Sequence, residues 1–197
     1  MTRRLLQLYA GLVLYGLSMA LQVHAMLGLG PWDVFHEGVA EHTGLSFGTV
    51  VVVASVGVLL LWIPLKQKPG LGTISNVFVV GIAADFGLSF IPEGGTLPVQ
   101  LLMLAAGVGL NAVAGAAYLG ANFGPGARDG LMTGLVRKTG ISVGKVRTGL
   151  ELTIMAIGFV LGGTVGLGTI VYALSIGPLL QLMIPTFKVP TPAPAPA

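Results

Sequence analysis

The chain contains one glycine-rich sequence pattern twice, at a constant separation of 96 residues. Residues 28–33 read Gly-Leu-Gly-Pro-Trp-Asp, and residues 124–129 read Gly-Pro-Gly-Ala-Arg-Asp. Further along, Gly-Leu-Gly-Thr-Ile occurs at 70–74 and again at 166–170. An offset that stays constant across long apolar segments indicates internal duplication, which is typical of many membrane transporters.

The composition places the chain in a membrane. Of the 197 residues, 54% are hydrophobic and only 9% are charged, whereas about 25% of the residues in a soluble domain are charged. The absence of cysteine excludes disulfides and thiolate metal sites. The sequence also shows no catalytic set and no zinc-ligand spacing among its histidines. We therefore expect no enzymatic activity, no cofactor, no bound metal and no nucleic-acid partner.

Six apolar segments are long enough to cross a hydrocarbon core of about 30 Å, which needs about 20 helical residues. The sequence therefore predicts an all-α membrane protein built from a first three-helix repeat at 1–96 and a second at 97–187. A Pro/Ala-rich tail at 188–197 is predicted to be disordered and cytoplasmic, because alternate prolines prevent a helix. The predicted spans are 5–27, 46–65, 72–91, 98–119, 143–163 and 167–187.

The positive charges predict the orientation in the membrane. Every Lys and Arg lies near a terminus, in the connection after the second span or around the connection after the fourth span, while the other connections contain no Lys or Arg. The positive-inside rule then puts both termini in the cytoplasm of a bacterium, in a multi-pass protein of the inner membrane. Three spans per repeat give the second copy the opposite orientation, so the repeats are predicted to be inverted. The ten cations are Arg3, Arg4, Lys66, Lys68, Arg128, Arg137, Lys138, Lys145, Arg147 and Lys188.

Each repeat is also predicted to contain a short amphipathic helix after its glycine-rich segment. Asp33 and Asp129 stand where an N-cap is expected, and Gly44 and Gly140 stand where a left-handed C-cap is expected. Two interpretations remain open at this point. The helices either lie at the membrane interface, or they are re-entrant half-helices whose positive N-terminal ends line a central pathway.

Asp85 is the strongest single candidate for a substrate or coupling site. It lies within the third span, where a carboxylate is costly and usually faces a partner or an aqueous path. Gln181 is its counterpart 96 residues later and is also polar within an apolar span. The alternative is a structural hydrogen bond to a neighbouring helix.

Three further polar residues within the spans are candidates. His24 is a group that can titrate near the outer end of the first span. Glu151 lies one turn after Arg147, so an intrahelical ion pair is the simpler interpretation of this residue. Asn111 is either a ligand or an interhelical hydrogen-bonding residue.

The motifs at 28–36, 70–73, 126–132 and 147–151 resemble the YczE/YyaS/YitT group of bacterial integral membrane proteins, and the YczE-like branch most closely. The resemblance extends over nearly the whole chain up to Lys188. It implies an inner-membrane location but little about mechanism.

Together these observations favour a small transporter or channel-like permease, with protons or cations as coupling ions and the site between the inverted repeats. One alternative is a non-transporting accessory or regulatory protein that binds a partner protein, and a third is a lipid-handling protein. The expected partners are the lipid bilayer, a small solute or ion of unknown identity, and a second copy of the chain bound through glycine-rich helix faces.

Overall fold

The computed structural model describes residues 1–189, and this part of the chain is entirely helical, without strands. The predicted disordered tail lies, from Pro190 onward, outside the described residues. The eight helices are α1 (Thr2–Ala25), α2 (Pro31–Thr43), α3 (Phe47–Trp62), α4 (Leu71–Phe90), α5 (Leu97–Gly120), α6 (Ala127–Thr139), α7 (Val143–Val160) and α8 (Leu167–Phe187).

The helix boundaries repeat with the sequence. Helices α6, α7 and α8 each begin 96 residues after α2, α3 and α4, and α1 and α5 both contain 24 residues. The two predicted C-caps are confirmed, because Gly44 and Gly140 have φ values of 69° and 72°. Glycine adopts this left-handed conformation without the steric cost of a Cβ atom.

The predicted N-caps are wrong by three residues. Gly30 and Gly126 occupy the N-cap positions, and Asp33 and Asp129 lie in the first turn of their helices. In α2 the reason is Pro31, whose fixed φ suits the first helical position and starts the helix before the aspartate.

Helices α1 and α5 form the centre of the bundle and run antiparallel. Arg4, near the start of α1, donates to the carbonyl oxygen of Ala121 just after α5 (3.0 Å), while Ser18, near the end of α1, accepts a hydrogen bond from Asn111 (2.8 Å). Gly11 packs on residues 114, 117 and 118, and its counterpart Gly107 packs on residues 18, 21 and 22. The same close contact is therefore made twice, once by a glycine of α1 on α5 and once by the equivalent glycine of α5 on α1. Because Gly107 faces α1 inside the chain, it offers no outer face to a second copy, and the homodimer stays a prediction.

The loops before α2 and α6 are each held by a hydrogen bond from the other half of the chain. The Gly72 N–H at the start of α4 donates to the Phe123 carbonyl (2.8 Å), and the Gly168 N–H at the start of α8 donates to the Leu27 carbonyl (2.6 Å). Each half thus fixes the loop that leads into the short helix of the other half. These contacts direct the N-termini of α2 and α6 towards the interior of the bundle.

Four helices, α1, α4, α5 and α8, are long and apolar enough to cross a membrane, and a fifth crossing is counted if α2 and α3, bent by 113°, form one broken span. The protein is therefore a helical membrane protein, but six separate spans are not confirmed. Helix α3 has only 16 residues, or about 24 Å at 1.5 Å per residue. Helix α7 carries three charged residues within its 18 residues, namely Lys145, Arg147 and Glu151.

The connections are grouped at two ends of the bundle. At one end Arg137 donates to the carbonyl of Leu65 after α3, and Arg4 donates to the carbonyl of Asn122 after α5. At the other end the carboxylate of Glu37 accepts a hydrogen bond from the Thr164 N–H before α8. The first end is hereafter called the cationic end and the second the acidic end.

A candidate functional site in a central cavity

A cavity of about 130 Å³ lies where the N-termini of α2 and α6 meet, and all eight helices contribute to its walls. Its lining is unusually rich in charge for this chain. Two of the ten basic residues and three of the seven acidic residues line it. They are Asp33, Arg128, Asp129, Arg147 and Glu151. Since charges at membrane depth are costly and mark functional sites, this cavity is the candidate site.

Asp33 lies between two basic groups. Its Oδ1 is 3.6 Å from Arg128 Nη2 and 3.3 Å from His36 Nδ1. The Arg128 guanidinium also lies over the Trp32 ring, 5.1 Å from its centroid, in a cation–π contact. Asp33 is 4% exposed and His36 is 1% exposed. Within residues 1–189, neither Asp33 Oδ1 nor His36 Nδ1 has a hydrogen-bond partner.

Other polar groups in the walls of the cavity are paired. Tyr118 donates its hydroxyl proton to Asp129 Oδ2 (3.0 Å), and Tyr172 donates to Asn111 Oδ1 (3.2 Å). On α7, Arg147 Nε donates to Glu151 Oε1 (2.9 Å). These bonds fix the orientation of the wall around the less constrained Asp33.

The two halves supply different chemistry to this one cavity. Residues 96 apart occupy equivalent positions of its lining, but the second half carries the additional charges. The equivalent pairs are Trp32 and Arg128, Val51 and Arg147, and Ser55 and Glu151. The backbone positions that line the site are therefore equivalent in the two halves, but the side chains at these positions differ.

Asp85 lies outside the cavity, at a contact that joins α3 to α4. Its Oδ2 accepts a hydrogen bond from Ser46 Oγ, and its Oδ1 accepts one from the Gly48 N–H, each at 2.6 Å. Gly48 and Gly81 are both buried there, and a Cβ atom at Gly48 would overlap the Gly81 carbonyl oxygen. Asp85 therefore binds the N-terminus of α3 and holds this wall closed at the acidic end. The contact of these residues is hereafter called the α3–α4 seal.

The equivalent contact between α7 and α8 is absent from the described part of the chain. Ser142, Gly144 and Gln181 are exposed, and a Cβ atom at Gly144 or Gly177 would have no heavy atom of residues 1–189 within 4 Å. Helix α3 packs along α4, whereas α7 and α8 barely touch. The cavity is therefore closed at the α3–α4 seal and open between α7 and α8, towards the cationic end.

The residues predicted from the sequence separate into three groups. Asp33, Asp129 and Glu151 line the cavity, and Asn111 belongs to the hydrogen-bonded network of its wall. Asp85 and Gln181 lie at the two equivalent α3–α4 and α7–α8 positions, away from the cavity lining. His24 lies beside the connection between α4 and α5, where its backbone carbonyl accepts a hydrogen bond from the Gly94 N–H (2.9 Å).

Sequence reasoning missed Arg128, Arg147 and His36 as site residues. Arg128 was interpreted only as a charge that sets the topology, and Arg147 also as the ion-pair partner of Glu151, which is confirmed. The structure places both arginines in the cavity lining. A signal was present for Arg128, because it precedes Asp129 in the repeated loop at the position that Trp32 holds before Asp33.

A comparison with protein families matches residues 2–185 to a family of unknown function, DUF6198. The chain belongs to this family. An uncharacterized protein of Haemophilus influenzae is 35% identical over 173 residues, which cover 88% of this chain and 79% of that protein. The uncharacterized membrane protein YczE of Bacillus subtilis is 32% identical over 182 residues, which cover 90% and 83% of the two chains.

The uncharacterized protein YyaS of Bacillus subtilis is a more distant relative, 25% identical over 179 residues and covering 89% of each chain. The resemblance to the YczE-like group is thus confirmed. No solved structure matches this member of DUF6198.

Proposed function

We propose that this protein is a small permease of the bacterial cytoplasmic membrane, which moves a small solute by exposing the central cavity to one end of the bundle at a time. The observation that carries the proposal is the difference between the two walls of the cavity. The α3–α4 seal is formed, while the same residue positions on α7 and α8 are apart.

The direction of the central helices supports an inverted repeat. Helices α1 and α5 are the corresponding helices of the two halves, and they run antiparallel. Corresponding helices that run in opposite directions support halves that enter the membrane in opposite senses, as in many secondary transporters.

The meeting point of α2 and α6 supports the re-entrant interpretation of these helices. If the halves are inverted, interfacial helices α2 and α6 would lie at opposite membrane surfaces. Instead Asp33 and Arg128, in the first turns of these helices, are 3.6 Å apart. We infer that both helices enter the membrane from opposite sides and meet near its middle, with the cationic end and both termini in the cytoplasm.

The proposed permease needs a second state, in which the cavity is open at the acidic end. In that state α7 and α8 make the contact that α3 and α4 make in the present structure. Helix α7 would approach α8 until Gly144 meets Gly177, and the Gln181 side chain would then face Ser142 as Asp85 now faces Ser46. The α3–α4 seal would open at the same time. Alternating access usually depends on two such alternative packing arrangements of the same helices. That protons or cations drive the movement stays a prediction.

Disulfide crosslinking tests the exchange directly, because the chain has no cysteine of its own. The pair Ser46→Cys and Asp85→Cys reports the α3–α4 seal, and the pair Ser142→Cys and Gln181→Cys reports the proposed contact between α7 and α8. We expect both pairs to crosslink in native membranes. The control pair, Ser89→Cys with Ser142→Cys, joins opposite ends of the bundle and should not crosslink.

The same variants in proteoliposomes connect the two states to transport. The probes are radiolabelled amino acids, acetate and methylammonium, and each crosslink should stop the uptake of whichever probe is transported until a reductant is added. If the Ser142–Gln181 pair never crosslinks although both cysteines react with a maleimide, or if both pairs crosslink in one molecule at once, the alternating model is wrong.

A further inference from the structure

The carboxylate of Asp33 and the guanidinium of Arg128 face each other in the cavity without forming a hydrogen bond. Their closest atoms are 3.6 Å apart, beyond the usual range for an N–H···O bond. In the described residues no side-chain or backbone group donates a hydrogen bond to Asp33 Oδ1, and its ion-pair contacts to Arg128 Nη2 and to His36 Nδ1 (3.3 Å) are both long. A buried carboxylate in this condition is destabilising unless a partner completes its hydrogen bonds.

The signs of the surrounding charges restrict which partner fits. A simple anion at this point would meet the carboxylates of Asp33, Asp129 and Glu151, and a simple cation would meet the guanidinium groups of Arg128 and Arg147. A molecule that both donates to Asp33 and accepts from Arg128 satisfies both groups at once.

We propose that the cavity binds a small zwitterion, with its ammonium group at Asp33 and its carboxylate at Arg128. This inference rests on the proposed function only in using the same cavity as the solute site. It names the substrate class as small amino acids or molecules of the same charge pattern.

The backbone around Arg128 favours the carboxylate end. The first turn of α6 begins at Gly126, which has no side chain to cap the free N–H groups. The N-terminus of a helix attracts negative charge, an attraction that a ligand carboxylate shares here with Asp129 in the same turn. The guanidinium binds a carboxylate through two parallel hydrogen bonds. The cavity volume of about 130 Å³ limits the ligand to a small molecule.

The aromatic lining supplies the remaining contacts. The rings of Tyr15, Trp32, Tyr118 and Tyr172 surround the charged groups. Aromatic faces attract an ammonium group, so they support its binding beside Asp33 without adding a further formal charge. Trp32 also gives the site an optical signal, since its indole is part of the lining.

Binding to the detergent-purified full chain tests the inference without requiring transport. Glycine and alanine are the zwitterionic probes, and acetate and methylammonium are the matched single-charge probes. We expect the zwitterions to change the tryptophan fluorescence and to raise the unfolding temperature. Each single-charge probe should bind about tenfold or more weakly, because it leaves one buried charge without a partner.

Substitutions at Asp33 and Arg128 test which residue binds the ammonium group of the ligand and which binds its carboxylate. Asp33→Asn and Arg128→Gln should each weaken zwitterion binding by about tenfold or more, and methylammonium binding should depend on Asp33 alone. Arg3→Gln and Glu93→Gln remove one charge each at exposed positions outside the cavity and should leave binding unchanged. The comparison of probes on the unaltered protein remains decisive if a variant fails to fold.

The inference is overturned if acetate or methylammonium binds as tightly as glycine and alanine, or if neither Asp33→Asn nor Arg128→Gln changes their affinity. These results differ from a failure of the proposed function. If zwitterions bind but the Ser142–Gln181 crosslink never forms, the binding site is supported and the permease proposal is wrong. If the crosslink forms and acetate alone is transported, the permease proposal is supported and the zwitterion proposal is wrong.

Discussion

Replacement of Asp85 by alanine should weaken the α3–α4 seal and expose the cavity at the acidic end. The substitution removes two hydrogen bonds of 2.6 Å, one from Ser46 Oγ and one from the Gly48 N–H. Hydrogen bonds to a charged acceptor contribute about 1.5–3 kcal/mol each. Because Ser46 is exposed, we take the lower value for both, which gives about 3 kcal/mol, or about a hundredfold in the ratio of closed to open seal.

A cysteine at Ser55 measures this ratio, because Ser55 lies on α3 in the cavity lining and is only 8% exposed. In right-side-out vesicles, its reaction with a membrane-impermeant maleimide requires the seal to be open. We expect the rate to rise by up to about a hundredfold in Asp85→Ala, and the matched variant Gln181→Ala to change it little. An unchanged rate in Asp85→Ala, or an equal rise in both variants, would refute the assignment of Asp85 to the seal.

Four further substitutions test the packing, each by the unfolding temperature of the purified protein. Gly81→Ala should destabilise by about 1–3 kcal/mol, because its Cβ would lie 2.5 Å from a backbone oxygen of α3, whereas Gly177→Ala, with open space around it, should be neutral or stabilise by up to about 1 kcal/mol. Gly130→Ala should destabilise by about 1–3 kcal/mol and shift the tryptophan emission, because its Cβ would overlap the Trp62 ring. Asn111→Ala should cost about 1–3 kcal/mol, because it breaks two hydrogen bonds in the cavity wall. Equal unfolding temperatures for the two alanines at positions 81 and 177 would contradict the difference between the walls.

The sequence predicts much of the fold because the duplication is regular. The positions of α2 and α6 and the C-caps at Gly44 and Gly140 agree with the structure, since a left-handed cap needs glycine and the offset places it twice. The prediction of six spans is not confirmed, for a local reason. Hydropathy does not show where a helix begins or ends, and α3 ends at Trp62, earlier than the apolar segment does.

The candidate site was only partly predictable, because its central pair joins residues from different halves. The cost of charge in a membrane drew attention to Asp85, and its hydrogen bonds to Ser46 and Gly48 agree with the alternative of a structural contact to a neighbouring helix. In the sequence Arg128 is one of several cations in the loops, and the residues around it do not indicate that its guanidinium lies over Trp32. Only the exchanged contacts that hold the two loops bring these side chains together.

The pairing of large and small residues at the outer interfaces has a consequence for the evolution of this chain. In one interface the Trp62 ring lies against Gly130, and at the equivalent position of the other interface Gly158 lies against the backbone of Val34 and Phe35. Two copies of the first half would force Trp62 into Val34, and two copies of the second would leave Gly158 and Gly130 facing a void. Each half therefore complements the other, and we expect neither half alone to form a symmetric dimer with this packing.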